Sequence, residues 1–229
     1  MSDQRIADEL ADAAIADIKT GMTVGLGTGR AAARGIRALG ERVRTEKLDI
    51  KCVATSEVAE ALAHEVGLTT IDFAMVERLD FMFDGADEVD RQVRVLKGSG
   101  GAMTRERMVA WASARAVYMV QQGKVVERLG TNNTLAIAIM AYGLTSIRAE
   151  LRNLGLNGVC RHMINGQIFI TDNGNLILDV SIADQDNLGE LAAAINSIPG
   201  VIDHGLFLTE ADEILVETDN GIERLVRPA

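Results

Sequence analysis

Cysteine, proline, histidine and aromatic residues are all scarce in this chain, and each shortage narrows what it can be. Its 229 residues include two cysteines, two prolines, three histidines and 3% aromatics. Cys52 and Cys160 lie far apart and form no Cys-x-x-Cys pair. Their apolar, strand-like surroundings predict buried free thiols and suit a reducing cytoplasm. With so little proline and no low-complexity stretch, no flexible linker is expected and the parts should pack together. No apolar run approaches the roughly 20 residues that span a bilayer. The acidic, helix-like start through Asp3, Ile6 and Asp8 is unlike a cleaved signal. There is no basic stripe either: the net charge is −10, which argues against nucleic acid as a partner. A small anionic substrate stays open, because a few cations in a concave site outweigh surface charges screened beyond about 8–10 Å. His64, His162 and His204 have no serine or cysteine partner at a recognisable spacing, so they read as structural or surface residues.

What the chain does have is the rhythm of an α/β protein, rich in alanine and glycine and 48% hydrophobic. Ile6, Leu10, Ala14 and Ile18 recur at helical spacing. Met22 to Leu26 reads as a short buried strand, and Ala31 to Leu39 as a helix stopped by Gly40. A strand from Ile50 to Ala54 leads into a helix capped by Thr55 or Ser56. Leu79 to Phe83 is a strand, Ala102 to Arg115 a helix and Ala116 to Val120 a strand. This alternation predicts a parallel sheet covered by helices, with the chemistry at the carboxyl ends of its strands. After about residue 130 the order becomes β-α-β-β-α-β, as in the ferredoxin-like motif. Its elements are Thr134 to Met140, Leu144 to Leu154, strands within Val159 to Val180, Leu188 to Ile198 and Val201 to Leu208. Asn165-Gly166 and Asp172-Asn173-Gly174 supply hairpin turns. A final hairpin, Glu213 to Val226, fits either part. Trp111, Tyr118 and the scattered methionines are expected in the core.

Gly25-Leu26-Gly27-Thr28-Gly29 lies between a strand and a helix, where backbone N–H groups and a positive helix end suit a phosphate. A dinucleotide site is disfavoured. The G-x-G-x-x-G spacing fails at Arg30, passes only weakly at Ala32, and no acid ends the second strand. Glycines serving a tight turn alone remain the alternative. Further on, Asp84, Asp87, Glu88 and Asp90 suggest a cation loop, but the EF-hand positions for glycine and glutamate hold Val89 and Val95. Glu88 and Asp90 are expected on a solvated turn. Asp84 ends an apolar strand and reads as a helix cap or a working group. Lys97 precedes Gly98-Ser99-Gly100-Gly101, whose N–H groups and ammonium suit an oxyanion. Glu106 falls one turn into the next helix, facing back toward that loop. A carboxylate in a desolvated site is a good base for removing a proton beside a carbonyl. These groups, with Lys124 after another strand, are expected to converge.

In this order the segments resemble ribose-5-phosphate isomerase type A over almost the whole length. They are Gly25 to Gly29, Asp84-Gly85-Ala86-Asp87-Glu88, Lys97-Gly98-Ser99-Gly100, Thr104-Arg105-Glu106, Lys124, Thr171 to Asn175 and Ile198-Pro199-Gly200-Val201. The resemblance implies cofactor- and metal-free interconversion of ribose 5-phosphate and ribulose 5-phosphate through an enediolate. By the same resemblance Glu106 is expected to move the proton, Asp84 to assist ring opening, Asp87 to order sugar hydroxyls, and Lys97 to hold the oxyanion with the loop amides. Substrate contacts are implied for Gly27, Thr28, Gly29, Arg30 and Ala31, for Gly85 and Ala86, for Gly98, Ser99 and Gly100, and for Lys124. It also implies a Rossmann-like domain over 1–130 with 209–229, a ferredoxin-like domain over 131–208, and assembly as dimers or tetramers. Departures stand out. Arg30-Ala31 replaces the family's Ser-Thr, removing two hydroxyl donors for which Arg30 is expected to substitute a charge-assisted contact. A lysine common in the first helix is missing near Ala7, and Thr134-Leu135-Ala136-Ile137 replaces a proline-containing strand. Two rival readings are a non-catalytic sugar-phosphate sensor and an isomerase of another phosphosugar. The sensor is disfavoured by the presence of Lys97 and Glu106 and by an N-terminus with no room for a winged helix.

Overall fold

A computed structural model describes residues 8–227. The start of the first predicted helix, including Ile6 and Ala7, lies outside the described residues. In chain order the elements begin α1 (Glu9–Ile15), β1 (Thr23–Leu26), α2 (Arg30–Glu46), β2 (Lys51–Ala54), α3 (Glu57–Glu65) and β3 (Phe81–Gly85). Then follow β4 (Glu88–Val89), β5 (Val95–Leu96), α4 (Met103–Ala112), β6 (Ala116–Gln121), β7 (Leu135–Ile139) and α5 (Leu144–Asn153). The last are β8 (Val159–Cys160), β9 (Leu176–Val180), α6 (Leu188–Asn196), β10 (Val201–His204), β11 (Leu206–Phe207), β12 (Glu213–Thr218) and β13 (Gly221–Val226). The chain divides into two compact units, the first comprising residues 1–85, 109–122 and 212–229, the second residues 86–108 and 123–211.

The first unit is built on a six-stranded sheet in the order β13-β12-β6-β3-β1-β2. All pairings are parallel except the closing β12–β13 hairpin. Phe81 and Phe83 on β3 join Leu10, Ile15, Ile36 and Leu39 of α1 and α2 in one buried cluster. Met82, between them, points to the opposite face, where a Cβ on Gly25 would fall 2.5 Å from Val109 and 3.1 Å from Met82. Helices start where the sequence supplies acceptors for orphan N–H groups. The Asp8 carboxylate accepts from Ala11 N–H at 3.0 Å, and Ser56 Oγ accepts from Ala59 N–H at 3.1 Å.

Helix α2 does not stop at Gly40 but runs on to Glu46, ending at a left-handed Lys47. Gly40 serves packing: a Cβ there would lie 2.7 Å from Val66 Cγ2 and 2.9 Å from the Val66 carbonyl oxygen. Trp111 is not core. It is 72% exposed on the outer side of α4, with the Arg78 guanidinium 5.5 Å from its ring, while its neighbours Ala110 and Ala112 face inward. Of the methionines, Met82, Met103 and Met119 are buried, whereas Met75, Met108, Met140 and Met163 are exposed.

The second unit holds a four-stranded antiparallel sheet, β10-β7-β9-β8, and a three-stranded ribbon, β11-β5-β4. With α5 and α6 the larger sheet has the ferredoxin-like order. Its apolar strands β7 and β9 pack with Ile147, Leu151, Leu191 and Ile195. The Asn165-Gly166 and Asp172-Asn173-Gly174 turns form as predicted, closed by Met163 N–H to the Gln167 carbonyl at 2.8 Å and Thr171 N–H to the Asn175 carbonyl at 2.9 Å. Cys52 is buried and burial pushes its thiol up to about 12. Cys160 is only partly covered, because β8 is the edge strand; both thiols are free. The strand expected from Val201 to Leu208 breaks at Gly205, so that β10 and β11 join different sheets. Among the described residues no helix is long and apolar enough to cross a membrane.

Candidate active site

In the first unit the glycine loop closes over a carboxylate. Asp84, next to last in β3, is fully buried, and its Oδ1 accepts from Thr28 N–H at 3.1 Å and Gly85 N–H at 2.7 Å. A Cβ at Gly27 would fall 2.1 Å from Asp84 Cγ, so glycine is required for the carboxylate to lie there. The Gly27 N–H in turn donates to the Phe83 carbonyl at 2.9 Å. Thr28 Oγ1 is 2.8 Å from both Thr55 Oγ1 and Ser56 Oγ, which anchors the loop to the end of β2. Gly29, with φ of +101°, precedes α2 without a side-chain cap, and Arg30 is exposed as the first residue of that 17-residue helix. A Cβ at Gly85 would meet the Ala31 methyl at 3.0 Å, so these two residues are packed together.

In the second unit Lys97 directly follows β5. Its Nζ stands 3.2 Å from Glu106 Oε1, with 4% and 5% of the two side chains exposed. Water screens such a pair little, so each charge strongly governs the other. Two backbone features set this geometry. Lys97 N–H donates to the Gly205 carbonyl at 2.9 Å, and a Cβ on Gly205 would lie 1.9 Å from the Lys97 carbonyl oxygen. Glu106 sits in the first turn of α4, its N–H on the Ala102 carbonyl at 3.0 Å. The intervening loop turns at Gly98 (φ +115°) and Gly101 (φ +76°), conformations that favour glycine. Asp87 Oδ2 accepts from Ser99 N–H at 2.9 Å, and Lys124 Nζ donates to the Ala86 carbonyl at 2.5 Å.

Glu88 and Asp90 are not on a solvated turn. Glu88 is fully buried and accepts from the N–H groups of Gly130, Asn132 and Asn133, each at 2.6 Å, and from Asn133 Nδ2 at 3.1 Å. Asp90 accepts from Gln92 and Arg94 N–H and pairs with the Arg94 guanidinium at 2.6 Å. These acids organise backbone: Glu88 gathers the N–H groups of a loop that has no strand partner, and Asp90 closes the β4–β5 turn. Glu88 looks solvated in sequence because its partners lie about forty residues on, whereas those of Asp90 are its near neighbours. Of the histidines, His64 and His162 are exposed. His204 is buried, accepting at Nδ1 from Leu206 N–H at 3.2 Å, which leaves its proton on Nε2. Burial, and then the nearby Arg107 guanidinium, bring its pKa down to about 4.

Thus Gly27, Thr28, Gly29 and Asp84 come together in the first unit. Asp87, Lys97, Gly98, Ser99 and Glu106 come together in the second. Sequence reasoning missed Arg161, which holds the Gly98–Ser99 turn from 62 residues away, and no local signal pointed to it. Among the described residues no group of three or more histidine, cysteine, aspartate or glutamate side chains is placed to hold a metal ion.

A buried carboxylate against an ammonium, beside a turn of backbone amides in an α/β scaffold, suits the class of enzymes that move protons on a polar, oxygen-rich substrate. The comparisons with known proteins narrow the class. The family model for ribose 5-phosphate isomerase A (phosphoriboisomerase A) matches residues 51–221. Ribose-5-phosphate isomerase A of Roseiflexus sp. (strain RS-1) is 41% identical, over all of this chain and 99% of that protein. Its namesake in Thermomicrobium roseum is 40% identical over 99% of this chain and 96% of that protein. Ribose 5-phosphate isomerase A from Methanocaldococcus jannaschii superposes with a TM-score of 0.91 at 34% identity, covering 95% of this chain and 96% of that one. A D-ribose-5-phosphate isomerase solved in complex with phospho-erythronic acid gives 0.91 at 33%, with the same coverage of both chains. The chain belongs to the ribose 5-phosphate isomerase A family, whose members are aldose–ketose isomerases.

Proposed function

We propose that the protein interconverts D-ribose 5-phosphate and D-ribulose 5-phosphate, a step of pentose phosphate metabolism. The observation that carries this reading is the buried Lys97–Glu106 pair at 3.2 Å. In the open-chain aldose the C2 proton lies beside the C1 carbonyl. Glu106 removes that proton, the electron pair moves toward O1, and an enediolate forms. The proton of the C2 hydroxyl passes to O1, and the same carboxyl group then returns its proton to C1 while the C2 oxygen becomes the ketone. Negative charge passes between O1 and O2, and a fixed ammonium at Lys97 with the amides of Gly98 and Gly100 stabilises it without reorganising, while the Ser99 amide holds Asp87 beside them. Asp84 serves ring opening as an acceptor held rigid by the N–H groups of Thr28 and Gly85. Asp87 orders the sugar hydroxyls. Gly27, Thr28, Gly29, Arg30 and Ala31 take the phosphate end, and Lys124, Gly85 and Ala86 complete the substrate contacts.

The setting proposed is the cytoplasm, which the free thiols of Cys52 and Cys160 suit. Exposed Tyr142, Val159, Ile164, Ile168 and Ile170 in the second unit support assembly of copies into a dimer or tetramer. The test is ribulose 5-phosphate formation from ribose 5-phosphate with chelator present, for the wild type and Glu106→Gln. Turnover should survive chelator, and the substitution should lower kcat by about 10²–10⁴-fold. Chelator-sensitive turnover would restore a metal to the reaction. Equal turnover in the variant would remove Glu106 from its role, and a wild type inert on every pentose phosphate would favour a sugar-phosphate sensor.

A further inference from the structure

The Lys97–Gly101 loop is held from behind by a side chain that no substrate role accounts for. Arg161 follows β8, its backbone fixed on both sides by N–H donation to the Ile177 carbonyl and acceptance from Phe169 N–H, each at 2.9 Å. Its side chain is 16% exposed. Nε donates to Asp179 Oδ2 at 2.9 Å, Nη2 pairs with Asp179 Oδ1, and Nη1 donates to the Gly98 carbonyl at 2.7 Å and the Ser99 carbonyl at 3.0 Å. The guanidinium carbon lies 5.7 Å from the centre of the Phe169 ring, and that ring fills the space a Cβ on Gly101 would need, at 2.5 Å. One guanidinium therefore joins a carboxylate on β9 to two consecutive carbonyls of the loop.

Peptide planarity gives this clip a chemical consequence. In a trans peptide the C=O and the following N–H point in opposite directions, and no described peptide bond here is cis. With the Gly98 and Ser99 carbonyls drawn to one nitrogen, the N–H groups of Ser99 and Gly100 are turned away from Arg161. The first of them is found where this requires, on Asp87 Oδ2 at 2.9 Å. The Gly100 N–H is turned the same way and has no acceptor among the described residues. The geometry points to Arg161, fixed by Asp179, as the positioning residue that aims the Gly100 amide at the developing enediolate oxygen. This rests on the isomerase reading above. A flexible glycine turn would otherwise spend part of its time with these peptides flipped, and a donor supplied by a flipping peptide loses the preorganisation that makes it worth having.

The test compares steady-state kinetics on ribose 5-phosphate, and inhibition by phospho-erythronic acid and by inorganic phosphate, in wild type and two variants. The first variant is Arg161→Met with Asp179→Asn, which removes the pair together and strands no charge. The second is Arg161→Lys, which keeps the cation but loses the planar fork. Removing one fixed oxyanion donor costs about 10²–10³-fold in kcat, so loosening its aim should cost roughly 10–100-fold for the double variant and less for lysine. KM should move less than about threefold. Phospho-erythronic acid, whose carboxylate presents oxygen at the reacting end, should bind about tenfold more weakly, and inorganic phosphate equally well. A kcat within twofold of wild type in both variants would overturn the inference. So would parallel losses of kcat, phospho-erythronic acid binding and phosphate binding, which mark general loosening. If the double variant does not fold, an unchanged kcat in Arg161→Lys would still overturn it. A wild type inactive on ribose 5-phosphate would instead sink the isomerase reading on which the inference stands.

Discussion

The two glycine-rich loops look interchangeable in sequence, yet they use glycine for opposite ends. In the loop after β1, Gly27 is small so that a carboxylate can enter, and the backbone then donates to Asp84. In the loop after β5, glycine supplies φ values of +115° and +76° so that the chain can turn, and the charges come from Lys97 and Glu106 flanking it. One loop is shaped around a charge; the other is shaped so that charges beside it can meet. The lesson is that a glycine count says little until the atom nearest the missing Cβ is known: Asp84 for Gly27, Ala136 for Gly98, Phe169 for Gly101.

The sharpest break in this contrast comes from the second loop's charges. Glu106→Gln should reduce kcat by about 10²–10⁴-fold, far more than any substitution that only reshapes a turn. A subtler weakness of the same loop lies behind it, in acid. His204 precedes Gly205, whose carbonyl holds Lys97 N–H, and is buried neutral with a pKa near 4 against an ordinary 6.5. Below pH 6.5 the unfolded chain takes up a proton that the folded chain refuses. Stability is thus complete above that pH, is lost as pH falls toward 4, and levels off below. The loss amounts to about 3 kcal/mol. Burial raises the neighbouring Asp203, which works the other way because the folded state gains its proton first. Denaturant unfolding at pH 7 and pH 4 should show His204→Asn losing less than wild type, and equal losses would remove His204 as the cause.

The first loop is broken by volume. Gly27→Ala places a methyl 2.1 Å from Asp84 Cγ and should destabilise by about 1–3 kcal/mol while displacing the carboxylate. Thermal unfolding and kcat together measure both effects, and an unperturbed, fully active variant would show that the loop yields freely. The smallest effect tests the departure at the helix start. Arg30→Ala should raise KM for ribose 5-phosphate by about tenfold or more with little change in kcat, the value of one charge-assisted contact to phosphate. An unchanged KM would leave the backbone N–H groups as the whole phosphate site.

Much of this was legible locally. The alternation of strand and helix through residue 120, the β-α-β-β-α-β order after 130 and both Asn/Asp-Gly turns follow from periodicity and turn chemistry. So does the placement of Glu106 one turn into a helix behind a glycine loop. Most of the failures come from a partner distant in sequence, although Asp90 is paired within four residues and Trp111 simply carries no local mark of its side. Gly40 looks like a helix stop until Val66 is seen against it. Glu88 and Asp90 look solvated until the N–H groups around 130 and the Arg94 side chain are placed. Trp111 looks like core because nothing local says which side of α4 meets protein. Arg161 carries no sequence signal at all, since its meaning lies in two carbonyls, and a carbonyl is the same at every position in the chain.

Gly205 leaves a particular inheritance. It divides one strand between the four-stranded sheet, through β10, and the three-stranded ribbon, through β11, and its own carbonyl receives the Lys97 amide. That single amide proton therefore stands guard over two sheets at once. It exchanges with solvent when the Lys97–Gly205 bond opens, so its slowness is a clock for the parting of the chain at the point where the two sheets divide.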